Sequence, residues 1–129
     1  MKIQRLSGLL LACAVLLPGC GMQSYDIDGE FTLFASTEGP ATNCYGTGGF
    51  SDISQGLSVT VRNESGTILA TDRLGPGRRV GNRCAFTFTV TGIAKSDFYS
   101  IEVGRRGDLT YSHDEMVRNE WRVAASLGG

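Results

Sequence analysis

Several residue groups have the types that chemistry uses, and most lack the spacing. Ser112-His113-Asp114-Glu115 holds the members of a catalytic triad around the single histidine of the chain. Consecutive residues cannot converge as a triad requires. Ser and Glu three apart instead match a helix capping box. Asp26, Asp28 and Glu30 offer hard oxygens that suit calcium. The EF-hand pattern fails, because Phe31 stands where the turn glycine belongs and Thr37 where the bidentate glutamate belongs. As a glycosidase pair they are poorly placed, since flanking a bond needs carboxylates from two elements. Gly46-Thr47-Gly48-Gly49-Phe50-Ser51 has the glycines of a phosphate loop but not its Gly-Lys-Ser/Thr ending. If this loop binds a ligand, Tyr45 and Phe50 are the contacts. Arg106-Gly107-Asp108 reads as a hairpin turn. Arg78, Arg79, Arg83, Arg105 and Arg106 read as solvated loop residues. No metal or cofactor site is read from the sequence.

The start of the chain carries an address. Met1 to Arg5 hold two positive charges, Leu6 to Leu17 are almost wholly apolar, and Leu17-Pro18-Gly19-Cys20 follows. This is the plan of a secretory signal over residues 1–19. The apolar run is about a dozen residues, too short to span a bilayer of roughly 30 Å as a helix. Leu17, Gly19 and Cys20 resemble a bacterial lipobox, from which Pro18 departs. The resemblance implies that Cys20 becomes the mature N-terminus, thioether-linked to diacylglycerol. Acyl chains in that number give stable membrane anchoring. Residues 20–25 then form a lipidated tether, and residues 26–129 the domain. The expected location is the extracytoplasmic face of the cell membrane.

With Cys20 lipidated and Cys13 inside the signal, Cys44 and Cys84 remain, and two cysteines make one disulfide. Export places them where such bonds persist. They have neither C-x-x-C spacing nor a histidine nearby, which disfavours a redox pair or a metal site. A Cys44–Cys84 bridge closes a loop of about 41 residues, worth roughly 4 kcal/mol on the chain-entropy estimate.

Beyond residue 19 the chain holds 10 basic and 13 acidic residues. A domain that neutralises phosphates would be basic, so nucleic acid is excluded as a general partner. Of the 129 residues, 41% are hydrophobic and 19% charged, the composition of one folded domain.

The elements that must position these residues read as strands. Asp28–Ser36 alternates apolar and polar, as do Leu57–Arg62, Thr67–Leu74, Cys84–Thr91, Phe98–Val103 and Trp121–Leu127. With Leu109–Tyr111 the count is about seven strands. Residues 37–56 read as a long loop holding Cys44 and Phe50, and residues 75–83 as a basic loop. The capping box starts one short helix that runs to about Asn119. Short connections imply antiparallel pairing. The expected fold is an all-β antiparallel sandwich of immunoglobulin-like or prealbumin-like type, with a small closed barrel as the alternative. Val59, Val61, Phe86, Phe88, Ile101 and Val123 are the expected inward residues.

Four stretches carry a family resemblance: Cys44 to Ile53, Cys84 to Val90, Phe98 to Gly107, and Trp121 to Val123. In this order they resemble small lipoproteins or secreted proteins of actinobacteria, over about two thirds of the chain. The resemblance implies a disulfide-stapled extracytoplasmic domain and no particular activity. The function expected is a non-enzymatic binding or accessory domain at the cell envelope. The alternative is a structural or protein-interaction module without a small-molecule pocket.

Overall fold

A computed structural model describes residues 23–128. The signal segment 1–19 and the lipidation site Cys20 lie outside the described residues. The chain order is β1 (Ser24–Leu33), β2 (Thr37–Glu38), β3 (Tyr45–Gly46), β4 (Ser58–Arg62), β5 (Ile68–Arg73), β6 (Arg78–Val80), β7 (Arg83–Ala94), β8 (Phe98–Val103), β9 (Asp108–Ser112), α1 (His113–Arg118) and β10 (Arg122–Leu127). No helix among the described residues is long and apolar enough to cross a membrane.

Two four-stranded sheets form the sandwich, in the orders β10-β1-β7-β6 and β5-β4-β8-β9. Neither closes on itself, so the barrel alternative is excluded. Period-two alternation turns one face of each sheet inward. Ile27, Phe31, Leu33, Phe86, Phe88, Val90 and Val123 of the first sheet meet Val59, Val61, Tyr99, Ile101 and Val103 of the second. All six residues expected to point inward are buried. Phe88 faces Gly29 across the β1–β7 ladder. A Cβ on Gly29 would run into its ring, so the glycine lets a phenyl group lie flat across β1.

Four expectations are corrected. Pairing is not antiparallel throughout, because β1 and β10 run parallel from Asp28↔Arg122 to Leu33↔Leu127. Short connections constrain only consecutive strands, and these are the first and the last. Residues 37–56 are not a featureless loop, since Thr37 and Glu38 pair with Gly46 and Tyr45, and Gly48–Phe50 forms a single 3₁₀ turn. The basic loop 75–83 contains β6, an edge strand too short to show alternation. β1 already begins at Ser24, inside the stretch read as a tether.

The capping box forms as expected. Ser112 Oγ accepts from the Glu115 N–H, and a Glu115 carboxylate oxygen accepts from the Ser112 N–H at 2.8 Å. Those bonds hold the Glu115 carboxyl below its ordinary range.

Candidate functional site

The two seams of the sandwich differ. On the β5 side the chain passes from one sheet to the other through Leu74 and Gly75. The Leu74 N–H donates to the Leu57 carbonyl at 2.9 Å and the Gly75 N–H to the Thr87 carbonyl at 2.8 Å. That seam is sewn shut. On the other side the edge strands β9 and β10 stand apart and leave a cavity of about 170 Å³. Phe31, Phe88, Ile101, Val103, Val123 and Leu127 form its apolar wall, and Arg106, Asp108 and Ser126 its polar rim. At one end α1 bridges β9 to β10 and buries Met116.

The β10 edge beside this groove has one charge, Arg122, at its start. Trp121 and Leu127 accept backbone hydrogen bonds from Asp28 and Phe34 of the β1 segment, at 3.0 and 2.9 Å. Odd-numbered residues of β10 therefore face β1, and Ala124 and Ser126 turn their backbone groups outward. Neither carries a charge or a proline, the devices that usually protect an edge.

Arg106, in the turn between β8 and β9, ties the groove to the loop 37–56. Its guanidinium makes a two-nitrogen contact with the Asp52 carboxylate, donates to the Gly49 carbonyl at 2.7 Å, and lies 5.2 Å from the Phe50 ring centroid. The Arg106 bond holds the Asp52 carboxyl below its ordinary value, against a smaller opposing effect of burial. The arginine of the Arg-Gly-Asp tripeptide is thus engaged within the domain, and Asp108 accepts from Ser100 Oγ.

The same loop is held from below by the Cys44–Cys84 disulfide. The two Cα atoms are 6.0 Å apart and both side chains are fully buried. Cys84 opens the inward row of β7, while the Cys44 N–H donates to the Gly77 carbonyl at 3.2 Å. A Cβ on Gly77 would clash with the Cys44 carbonyl and with Cys84 Sγ, so glycine is required where the chain crosses the bridge. Ile53 is fully buried and receives the Gly46 N–H on its carbonyl at 2.8 Å. Arg79 donates to Thr37 Oγ1 at 3.0 Å and to the Gly39 carbonyl at 3.3 Å.

Tyr45 and Phe50, the contacts named from the sequence, line neither wall of the groove. Tyr45 is exposed with its ring over Gly39, and the Phe50 ring lies under Arg106. Asp26 and Asp28 accept from the Gly92 N–H and from Thr89 Oγ1, at 3.1 and 2.8 Å.

A second cluster lies at the end where β1 begins. Tyr25 and Trp121 stack with centroids 4.2 Å apart, and the His113 ring stands edge-on to both at 5.4 Å. Tyr99 is fully buried and meets Trp121 edge-on at 5.5 Å. The Ser96 N–H donates to Tyr99 Oη at 3.0 Å, and Tyr99 Oη lies 2.8 Å from His113 Nδ1. One hydrogen bond thus joins Tyr99 Oη to the His113 ring, and the same oxygen accepts from Ser96. Burial pushes the Tyr99 phenol above its ordinary range. Trp121 is positioned by a Schellman ending of α1: the Trp121 N–H donates to the Met116 carbonyl at 2.8 Å and the Glu120 N–H to the Val117 carbonyl at 3.1 Å. Glu120 and Trp121 both take left-handed backbone, with φ of 56° and 62°.

Sequence reasoning missed both the groove and the aromatic cluster. The groove arises where two sheets fail to meet, which no local pattern records. The cluster joins residues from four segments, and only the capping box at Ser112 hinted at order there.

No family model matches this chain, and no curated protein or solved structure matches it, so the reading of its site rests on its own geometry.

Proposed function

We propose that this protein is a lipoprotein anchored through Cys20 at the extracytoplasmic face of the cell membrane, and that its domain is a non-enzymatic binding module. The observation that carries the binding reading is the groove between β9 and β10. At about 170 Å³ it is smaller than the ~300–1,000 Å³ of ordinary small-molecule sites. It fits one apolar side chain or chain end of a larger partner. The open edge at Ala124 and Ser126 offers backbone hydrogen bonds to an extended segment lying beside it, the mode by which strands are added to a sheet. The Leu17-Pro18-Gly19-Cys20 sequence supports the anchor.

Two measurements test the two halves. Intact mass of protein extracted from membranes should show a chain starting at Cys20 plus diacylglycerol, and a chain cut elsewhere overturns the anchor. A photoreactive phenylalanine at Leu109, on the groove rim, should give a discrete adduct with an envelope component in living cells. The same probe at Thr87, on the solvated face of β7, should not. Equal adducts at both positions, or none at Leu109, overturn the groove as a binding site.

A further inference from the structure

We infer that the end of the sandwich where β1 begins is a membrane-seating surface, with its apolar rim resting in the headgroup region of the bilayer. The inference rests on the lipidation proposed for Cys20. Ser24 lies four residues after Cys20. Four residues span at most ~14 Å even when fully extended. An anchor that short holds this end against the bilayer.

The surface there has the matching chemistry. Ile68, Val117 and Phe98 are 54%, 52% and 47% exposed, the three most exposed large hydrophobics among the described residues. Topology brings all three to the end where the chain enters. Ser24 pairs with Ala94, the last residue of β7, and four residues later Phe98 opens β8. Ile68 opens β5 opposite Arg62. Glu64, in the turn before β5, accepts from the Phe98 N–H at 3.3 Å. Val117 lies on α1, beside the buried Met116 and near the Tyr25–Trp121 stack. Tyrosine and tryptophan, each with an apolar body and a polar tip, are the residues that collect at membrane–water interfaces.

Charge does not supply the attraction. Glu64, Asp97, Asp114, Glu115 and Glu120 lie at this end against Arg62, Lys95, Arg118 and Arg122. Anionic headgroups would be repelled, so the contact is apolar and aromatic. With this end seated, the turn carrying Arg106 and the mouth of the groove face away from the bilayer.

The chain has one tryptophan, at this surface. The chain from Cys20 to Gly129, with Cys44 and Cys84 bridged, has one free thiol for coupling to a maleimide lipid in phosphatidylcholine vesicles. Bromine on the acyl chains near the headgroups should then quench Trp121 emission about twofold and shift the remainder to the blue, as an indole at the interface requires. Phosphatidylglycerol vesicles should quench less, and added salt should restore the effect by screening the carboxylates. A Phe98→Glu, Val117→Glu double variant with an unchanged circular dichroism spectrum should lose the quenching. Unquenched emission in phosphatidylcholine overturns the inference, as does stronger quenching in phosphatidylglycerol. So does equal quenching when a Cys20→Ser, Arg105→Cys protein is coupled through the opposite end. The maleimide lipid supplies the anchor, so a failure of lipidation in the cell shows in intact mass and leaves this result untouched.

Discussion

The aromatic corner at one end of the sandwich and the loop 37–56 at the other are held in opposite ways. Around Tyr99 and α1 the polar ties are short in sequence, although Glu64–Phe98 and Asp26–Gly92 at the same end span 34 and 66 residues. Ser112 and Glu115 cap each other three residues apart, Ser96 bonds Tyr99 three residues on, and Tyr99 reaches His113 across 14 positions. At the other end the ties are long: 40 residues for Cys44–Cys84, 42 for Arg79–Thr37 and 54 for Arg106–Asp52. Local ties form with their own turn or helix and are lost with it. Long-range ties can be cut singly while the sheets remain. The far end is therefore where a loop can loosen without unfolding the domain. Arg106 makes that matter for the groove, because it lines the groove and clamps the loop at once.

The sharpest break of this contrast is the disulfide. Reduction, or a Cys44→Ala, Cys84→Ala variant, should cost roughly 4 kcal/mol by the loop-closure estimate. Hydrogen exchange should rise first in residues 37–56, while amides of α1 and the start of β8 exchange only with global unfolding. Uniform acceleration at both ends would abolish the distinction drawn here. At the near end the corresponding cut is Tyr99→Phe. It leaves the Ser96 N–H without its acceptor and His113 Nδ1 without its hydrogen-bond partner, and should cost about 1–3 kcal/mol in thermal unfolding. Its effect should appear at Ser96 and His113 and leave the Gly49–Asp52 amides unchanged.

Sequence patterns reached these two ends unequally. Alternation in β4, β7 and β8 named the inward residues because a half-buried strand must alternate whatever it packs against. The capping box named α1 because Ser112 and Glu115 act on backbone three residues away. The cysteine count paired Cys44 with Cys84, although alternation says nothing of where Cys44 sits. Arg106 was legible only as part of a turn, since its partner Asp52 lies 54 residues away in a stretch without periodicity. β6 was read as loop, because three residues cannot display a period and its pairing depends on where β7 runs. The parallel β1–β10 pair joins the first strand to the last, which only the assembled sandwich brings about, and the groove opens where β10 and β9 stand apart.

The near end also carries strain that its ties overcome. Glu120 occupies the left-handed C′ position of the Schellman ending, where glycine is usual. A side chain there costs on the order of 1 kcal/mol. Glu120→Gly should therefore stabilise the domain by up to about 1 kcal/mol and keep the Tyr25–Trp121 stack, read from unchanged near-ultraviolet circular dichroism. A loss of stability would mean that the glutamate makes a contribution the backbone argument omits.

The smallest effect separates the ends by pH. Asp52 is held below its ordinary value of 3.8, chiefly by its bond to Arg106. A carboxyl depressed in the folded state contributes stability that is fully present above the ordinary value and is lost as pH falls through the lower folded value. Both Asp52 and Arg106 are partly exposed, so Arg106→Ala at neutral pH should cost little global stability. Its signature is local: exchange at Gly49–Ile53 should rise, and the same rise should appear in the unaltered protein when pH falls below 3.8. Asp52→Asn should remove that acid step, leaving the loop equally mobile on both sides of it. Glu115 is also depressed, through the Ser112 N–H, so the same acid range should loosen the start of α1 by a separate titration that Asp52→Asn leaves in place. If Asp52→Asn retains the acid step at Gly49–Ile53, the Arg106 clamp is not what orders this loop, and the contrast between the two ends must rest on the disulfide alone.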